Sequence, residues 1–191
     1  MKTVRLRNMA YASGPVSQLS QAALVPEVAH ALLQWAKLRL SGSQAPGVLI
    51  GGLALSFYTK PRETTDVDIL FLSDEDIPTD TPGFKRVRKG ALQENKTHVE
   101  IETCSASSIN LPQSVVRKVF DTAHDHGGLR VASLEAMIVL KLWGSDTLRR
   151  EYGDLNDVVS LLTMNPTVDV ADWSLSPSHE AKLTECLRRS R

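Results

Sequence analysis

Cysteine is scarce in this sequence, and neither sign of charge is in excess. The 191 residues include two cysteines, Cys104 and Cys186, which lie far apart and form no CxxC pair. Free thiols in a reducing cytosol are therefore the better interpretation. Lysine and arginine together number 22, as do aspartate and glutamate, so the formal net charge is zero. A protein that binds nucleic acid through a global positive charge is not indicated.

Long apolar runs are also lacking. No run approaches the roughly 20 residues that span a bilayer, so no membrane contact is expected. The N-terminal stretch is basic but has no apolar core, which predicts that it is not a secretory signal. Apolar residues make up 42% of the chain and charged residues 23%, which is ordinary for a soluble globular protein. We therefore expect a cytoplasmic protein with one large domain, or a core domain with a helical appendage.

Residue periodicity predicts a mixed α/β (α+β) fold, with a small mixed β-sheet and a helical C-terminal part. The expected domains are a loosely ordered segment 1–20, an α/β core 21–131 and a helical region 132–191. The predicted strands are 47–50, 66–72, 84–88, 91–94, 97–104 and 129–131. The predicted helices are 26–41, 53–58, 112–122, 134–143, 155–163 and 177–189. His124-Asp125-His126 is expected to lie in a polar loop.

Two aspartates open a strand that is otherwise apolar. Asp66 and Asp68 precede Ile69-Leu70-Phe71-Leu72, and residues i and i+2 of a strand point to the same face. The two carboxylates therefore project together, and they repel each other unless a cation lies between them. Oxygen ligands suit Mg²⁺, which substrate phosphates often complete. A solvated strand start is the alternative, but the apolar strand argues against it.

A third carboxylate is available on the stretch Thr97–Cys104 (THVEIETC), which alternates polar and apolar residues. Glu100 and Glu102 share one face of this predicted strand. If it pairs with the strand that begins at Asp66, three carboxylates converge and can hold two metal ions for an in-line phosphoryl displacement. Taken alone, the two glutamates are better explained as residues on the wet face of an edge strand.

A double glycine, Gly51-Gly52, follows a short apolar strand and precedes a helix. Backbone N–H groups exposed at such a turn can bind an anion, although glycine pairs often serve only tight packing. The chain contains neither GxxxxGK[ST] nor GxGxxG, so the P-loop and the dinucleotide fingerprint do not apply.

Taken together, Gly51-Gly52, a thirteen-residue spacer and Asp66-Val67-Asp68-Ile69 resemble the polymerase-β-like nucleotidyltransferase superfamily. More narrowly, the stretch "IGGLALSFY…PRETTDVDIL" looks like the minimal bacterial nucleotidyltransferases related to AbiEii toxins. The resemblance covers roughly residues 48–162. It is most specific up to Asp68.

The resemblance implies a Mg²⁺-dependent enzyme, with Mn²⁺ as the alternative ion, that moves an NMP from an NTP to an acceptor hydroxyl. Asp66 and Asp68 would bind the metal, and Glu100, with Glu102 in reserve, would be the third carboxylate. The family more often has aspartate at that position. The implied nucleotide-binding residues are Gly51, Gly52, Arg62, Thr65 and Lys141. The alternative function is a non-catalytic relative that binds a nucleotide or a partner.

Lys141 has an argument of its own, because it is the only charge in the apolar helical stretch 136–143. A lysine among buried neighbours needs a counter-anion or a route to solvent. The resemblance favours a nucleotide phosphate as that anion. Arg149, Asp154 and Asp157 are further candidates from the resemblance. The two aspartates are better explained by a structural role, as a helix cap and an acidic first turn.

The acceptor is less constrained than the nucleotide. Lys85, Arg86, Arg88 and Lys89 form the densest basic patch of the chain. Such a patch is more often a solvated face, but it lies between two strands that carry the candidate site. It would attract an RNA or DNA acceptor. By resemblance, the acceptor is RNA (a tRNA), a protein or a small molecule, and a cognate antitoxin is an expected partner.

Overall fold

The computed structural model describes residues 26–40, 47–60, 66–79, 81–147 and 151–191, with only the backbone described at positions 39 and 40. The segment 1–20 lies outside the described residues. Contacts between Cα atoms divide the chain into two compact units, Met1–Ala132 and Ser133–Arg191. The domain organisation expected from the sequence stays a prediction.

The first unit contains a seven-stranded mixed sheet. Its strands are β1 (Val48–Ile50), β2 (Val67–Phe71), β3 (Phe84–Arg88), β4 (Ala91–Glu94), β5 (Glu100–Ser105), β6 (His124–His126) and β7 (Leu129–Val131). They lie in the order β3-β4-β5-β2-β1-β7-β6. Strands β2 and β5 are parallel, as are β1 and β7, and the other neighbours are antiparallel. The predicted mixed α/β fold class is confirmed.

The helices of the first unit are α1 (Pro26–Leu40), α2 (Gly51–Leu55) and α3 (Gln113–Thr122). Proline suits the first turn of a helix because its missing N–H group has no intrahelical partner there. Helix α1 buries Trp35 against the sheet, with ring centroids 6.3 Å from Phe71 and 5.5 Å from Phe84 in edge-to-face contacts. These aromatic contacts hold α1 over strands β2 and β3.

The second unit consists of helices α4 (Leu134–Gly144), α5 (Glu151–Met164) and α6 (Pro177–Arg189), which pack against one another. Ser133 caps α4 as predicted, because its hydroxyl accepts a hydrogen bond from the Ala136 N–H. In the part of the chain that the structure describes, no helix combines the length and apolar character needed to cross a bilayer. Neither Cys104 nor Cys186 forms a disulfide bond.

Helix α2 differs from its predicted range of 53–58. It begins at Gly51 and ends at Leu55, and a turn follows. The early start is possible because Gly51 has a φ of +70°, which lets the chain leave β1 and enter the helix without a linker. At the other end, the Ser56 hydroxyl donates to the Leu53 carbonyl at 2.6 Å, and such local bonds compete with a continuing helix.

Helix α5 begins at Glu151, four residues before the predicted start at Leu155. The prediction treated Gly153-Asp154 as a cap, and this was wrong. The Asp154 side chain does not cap the helix, because its carboxylate accepts a hydrogen bond from Lys141 on α4. Asp154 and Glu151 instead form the acidic first turn, which the helix dipole favours.

The predicted polar loop at His124–His126 was also wrong. These residues form β6, which pairs with β7 in an antiparallel hairpin. The turn is made by Gly127 and Gly128, which have φ values of +64° and +95°. Two consecutive glycines with positive φ are typical of the tight turns that join antiparallel strands.

Candidate active site

Gly51 lies directly against the carboxylate of Asp68. Strands β1 and β2 are antiparallel, and Ile50 is the partner of Asp68, so the chain turns into α2 beside this aspartate. A Cβ atom added to Gly51 would lie 1.9 Å from Oδ2 and 2.8 Å from Cγ of Asp68. Only glycine allows the backbone to lie so close to the carboxylate. The glycine turn and one of the predicted metal ligands therefore form a single local arrangement.

The two aspartates lie at the start of β2. Asp66 is exposed just before the strand, and Asp68 is half-buried within it. Val67 and Ile69 are fully buried, so they occupy the opposite, core face of the strand. Because of this alternation, the Asp68 side chain lies outside the apolar core. The free-energy cost of burying its charge is therefore smaller than the sequence suggested.

Strand β5 pairs with β2, as the convergence of carboxylates requires. The two strands are parallel, with Asp68 beside Glu102 and Val67 beside Ile101. Paired residues of neighbouring strands point to the same face, so Glu102 is the direct neighbour of Asp68. Glu100 lies two residues earlier on that face of β5. The pairing is confirmed, and its register brings Glu102 closer in the sheet to Asp68 than Glu100.

Both glutamates form ion pairs with Arg88, the last residue of β3. Its Nη2 atom lies 2.7 Å from Oε1 of Glu102 and 3.3 Å from Oε2 of Glu100. The hydrogen bond to Glu102 is the main cause that raises the pKa of Arg88, and the charges of both glutamates add to it. All three side chains are about half exposed, so water can replace these contacts easily.

The sequence did not predict the position of Arg88, which it placed only within a basic patch. The contact depends on the pairing of β3 with β4 and of β4 with β5, because Ala91 is the partner of both Arg88 and Glu102. The Lys89-Gly90 turn was a local signal for a hairpin. It does not fix the register that brings an arginine from one strand to a glutamate two strands away.

No three His, Cys, Asp or Glu side chains lie close enough to hold a metal ion together within the described ranges, which include all four candidate carboxylates. The donor chemistry of Asp66 and Asp68 nevertheless fits Mg²⁺, which prefers one or two carboxylates and takes its other ligands from water and phosphate. Asp68 also lies against the glycine turn. These two aspartates are therefore the residues that could hold a divalent ion, with Glu102 as the neighbouring carboxylate.

Some predicted nucleotide contacts fall on residues that the structure does not describe. Arg62, Thr65 and Arg149 lie outside the described ranges. Gly52 is described, and it follows Gly51 in the first turn of α2. Its contact with a nucleotide stays a prediction, as do those of Arg62 and Thr65.

Lys141 forms ion pairs with two aspartates of the second unit. Its Nζ atom lies 2.7 Å from Oδ1 of Asp154 and 2.8 Å from Oδ2 of Asp157, and all three side chains are less than one-fifth exposed. Gly144 makes room for this cluster, because a Cβ atom there would lie 2.5 Å from Oδ2 of Asp154. The two aspartates therefore have a structural role, but as ion-pair partners of Lys141 and not through the helix cap that the sequence predicted. A phosphate contact by Lys141 stays a prediction.

Comparison with known proteins identifies the architecture. No protein-family model matches the sequence, and no curated protein matches it significantly. Among solved structures, the chain is similar to an antigenic nucleotidyltransferase-like protein from Paracoccidioides brasiliensis, with 16% sequence identity and a TM-score of 0.53. The likeness covers 85% of this chain and 87% of that chain. The chain has a nucleotidyltransferase-like fold.

Within this nucleotidyltransferase-like fold, three of the residues chosen from the sequence lie in one place. Gly51 contacts Asp68, and Glu102 is the strand neighbour of Asp68. Lys141 belongs to an ion cluster of the second unit. The likeness establishes the fold alone, and the narrower AbiEii-like resemblance stays a prediction.

Proposed function

We propose that this protein is a Mg²⁺-dependent nucleotidyltransferase that moves an NMP from an NTP to an acceptor hydroxyl. The observation that carries the proposal is the close approach of Gly51 to Asp68. A partly exposed backbone turn placed against a carboxylate that can bind a metal suits a ligand that has both phosphates and a bound cation. The nucleotidyltransferase-like fold supports the same activity.

The reaction forms one bond to phosphorus and breaks another. The acceptor hydroxyl oxygen attacks the α-phosphorus of the NTP, the bond from that phosphorus to the bridging oxygen breaks, and pyrophosphate leaves. The proton of the hydroxyl passes to a carboxylate of the protein. Gly51 and Gly52 would hold the phosphates through backbone N–H groups, and this positioning supplies much of the rate enhancement.

Asp66 and Asp68 would hold the divalent ion. When bound, the ion supplies positive charge that neutralises the phosphates and offsets the repulsion between the two aspartates. Replacement of Mg²⁺ by Mn²⁺ should preserve the chemistry, since both ions accept carboxylate and phosphate oxygens.

Glu102 is the carboxylate that we assign to the acceptor proton, because it is the direct strand neighbour of Asp68. Glu100, the first choice from the sequence, lies two residues earlier on the same face. Arg88 contacts both glutamates through half-exposed side chains. Arg88 must therefore move away from Glu102 before that carboxylate can contact the acceptor hydroxyl, and water can replace the ion pair easily.

The two glutamates can be separated by matched substitutions. Glu102→Gln should lower kcat by about a hundredfold or more, which is typical of a lost general base. Glu100→Gln removes the same charge and another partner of Arg88, and it should change kcat by less than about tenfold. Rates of NMP transfer at saturating NTP distinguish the two. The opposite order would assign the proton to Glu100.

The acceptor that the site favours is a macromolecule. Lys85, Arg86 and Lys89 are exposed on β3 and the turn that follows it, and β4 lies between them and β5, which carries the two glutamates. Lys85 shares a face of the sheet with Glu100, because Gln93 is the strand partner of both. Exposed cations there would attract phosphates of RNA, and an RNA such as a tRNA is the acceptor we favour over a protein. This assignment, and that of an antitoxin partner, rests on the resemblance to AbiEii-like toxins.

The activity is tested by incubating the protein with Mg²⁺, total RNA and each α-labelled NTP in turn. We expect one NTP to label RNA or, failing that, the protein itself. The Asp66→Ala/Asp68→Ala variant should give no label, and chelation of divalent ions should stop the wild-type reaction. Absence of label with all four NTPs, with RNA or protein as the acceptor, would count against transferase activity.

A second function is favoured by a different observation. Both glutamates form ion pairs with Arg88, and in the described part of the chain no three metal-binding side chains converge. A relative that binds a nucleotide or a partner without turnover has no need of a third carboxylate. It would bind NTP with unchanged affinity after Glu102→Gln and would label no acceptor.

A further inference from the structure

A cavity of about 510 Å³ lies beside the turn that joins β3 to β4. Its walls include Arg86 and Lys89 from that hairpin, Thr103 from β5, and Asp74, Ser107 and Ser108 from the adjoining loops. Thr103 follows Glu102 in the strand, so its side chain points to the opposite face of the sheet from the candidate carboxylates. The cavity is therefore separate from the proposed transferase site.

An irregularity in β3 directs its two arginines to different places, Arg86 to the cavity and Arg88 to the candidate carboxylates. The pairing of β3 with β4 shifts register between Arg86 and Arg88, as at a β-bulge. Residues two apart in a regular strand point to one face, whereas a bulge can redirect a side chain. Arg88 contacts Glu102, while Arg86 lines the cavity and donates to the Pro78 carbonyl at 3.2 Å.

Thr103 brings an unsatisfied hydroxyl to this cavity wall. The residue is 6% exposed, and its Oγ1 atom has no hydrogen-bond partner among the described residues. Its backbone is well held, because its N–H donates to the Gly90 carbonyl at 2.8 Å. Buried hydroxyl groups nearly always have a partner, so one that lacks it beside a cavity indicates a ligand or a bound water.

The charge of the cavity favours an anion. Asp74 is the one acidic residue among the described residues of the wall, and the carboxylate accepts a hydrogen bond from the buried Ser105 hydroxyl. Hydrogen bonds from Ser105 and then Ser107 hold the pKa of Asp74 below its ordinary value. Arg86 and Lys89 exceed this single negative charge, and two cations next to hydroxyl groups match a dianion better than a monoanion.

We propose that this cavity binds a small phosphate monoester with a polar, hydroxyl-bearing body. Arg86 and Lys89 contact the phosphate, and the buried Thr103 hydroxyl becomes accessible on binding and donates its hydrogen to the ligand. The volume lies within the range of small-molecule sites and exceeds what inorganic phosphate alone would fill. Ser107 and Ser108 already donate their hydroxyl hydrogens to Asp74 and to the Ser105 carbonyl, so their oxygens accept hydrogen bonds from hydroxyl groups of the ligand body.

The test is isothermal titration calorimetry of the full chain with ribose 5-phosphate, inorganic phosphate and ribose. We expect saturable binding of ribose 5-phosphate, weaker binding of phosphate and none of ribose. Arg86→Gln/Lys89→Gln should weaken binding of ribose 5-phosphate by at least about tenfold, because two charge-assisted contacts are lost. Lys85→Gln, a charge removal on the same strand but outside the cavity wall, should leave the affinity unchanged.

Thr103→Val provides a variant that keeps the shape of the side chain. Because its hydroxyl lacks a protein partner, the variant should unfold at the same urea concentration as the wild type yet bind ribose 5-phosphate at least about threefold more weakly. Equal affinity in the wild type and in the Arg86→Gln/Lys89→Gln variant would overturn the proposal. So would binding of an RNA oligonucleotide with no binding of ribose 5-phosphate.

Ligand binding at this cavity can be tested independently of the transferase activity. The Asp66→Ala/Asp68→Ala variant should bind ribose 5-phosphate as the wild type does, since neither aspartate lines the cavity. Loss of binding in that variant, with the fold intact by circular dichroism, would place the phosphate at the other face of the sheet and overturn the proposal.

Discussion

Replacing Gly51 with alanine is expected to abolish NMP transfer and to destabilise the first unit. The residue has a φ of +70°, a conformation that costs an alanine about 1–2 kcal/mol. The added Cβ would also lie 1.9 Å from Oδ2 of Asp68, so the carboxylate or the turn must move. A displacement of about 1 Å at a reacting centre can lower the rate a hundredfold, and we expect at least that loss.

Gly83→Ala separates backbone strain from the steric clash. Gly83 has a φ of +85°, but an added Cβ atom there meets nothing within 4 Å. Both variants should therefore lose stability through strain in urea unfolding, and Gly51→Ala should lose more. Only Gly51→Ala should lose transfer activity. If both variants transfer NMP at the wild-type rate, the contact between the glycine turn and Asp68 has no part in catalysis.

The second large effect is expected at the ion cluster of the second unit. Lys141→Met removes the cation that Asp154 and Asp157 share, while keeping most of the apolar stem. The Asp154 side chain is 10% exposed, so its charge would lie in a poorly solvated place without this lysine. Breaking a buried ion pair by removing one partner typically destabilises a protein by about 3–5 kcal/mol.

Lys182→Met is the matched control for this substitution. Lys182 lies 2.7 Å from Oδ1 of Asp146, which is 46% exposed and remains solvated when the lysine is lost. Loss of an exposed pair should change the free energy of unfolding by at most about 1 kcal/mol. Urea unfolding followed by tryptophan fluorescence compares the two variants. Equal urea midpoints for the two variants would contradict this prediction, because loss of Lys141 would then destabilise the protein no more than loss of Lys182.

Local sequence patterns were enough to predict most elements of the fold. The alternation of Glu100-Ile101-Glu102 predicted a half-buried strand, and β5 has that burial pattern. Ser133 ahead of an apolar stretch predicted a capped helix, and α4 begins there. These signals work because strand alternation and helix capping depend on residues that are close in the chain.

Features that depend on long-range pairing could not be predicted. The register that places Glu102 beside Asp68 joins residues 34 positions apart, and nothing in either strand fixes it. The contact between Arg88 and Glu102 depends on two further pairings and on an irregularity of β3. The sequence predicted that Lys141 needs a counter-anion or a route to solvent. The spacing of residues in its helix could not show that Asp154 and Asp157 of the next helix supply two carboxylates.

The central claim is that Asp66 and Asp68 hold a divalent ion together with the phosphates of a nucleotide. Electron paramagnetic resonance of Mn²⁺ tests it most directly, because it measures binding without knowledge of the acceptor. With a non-hydrolysable NTP analogue present, the wild-type protein should bind Mn²⁺ at least about tenfold more tightly than Asp66→Asn/Asp68→Asn. Equal Mn²⁺ binding by the two folded proteins would contradict the account.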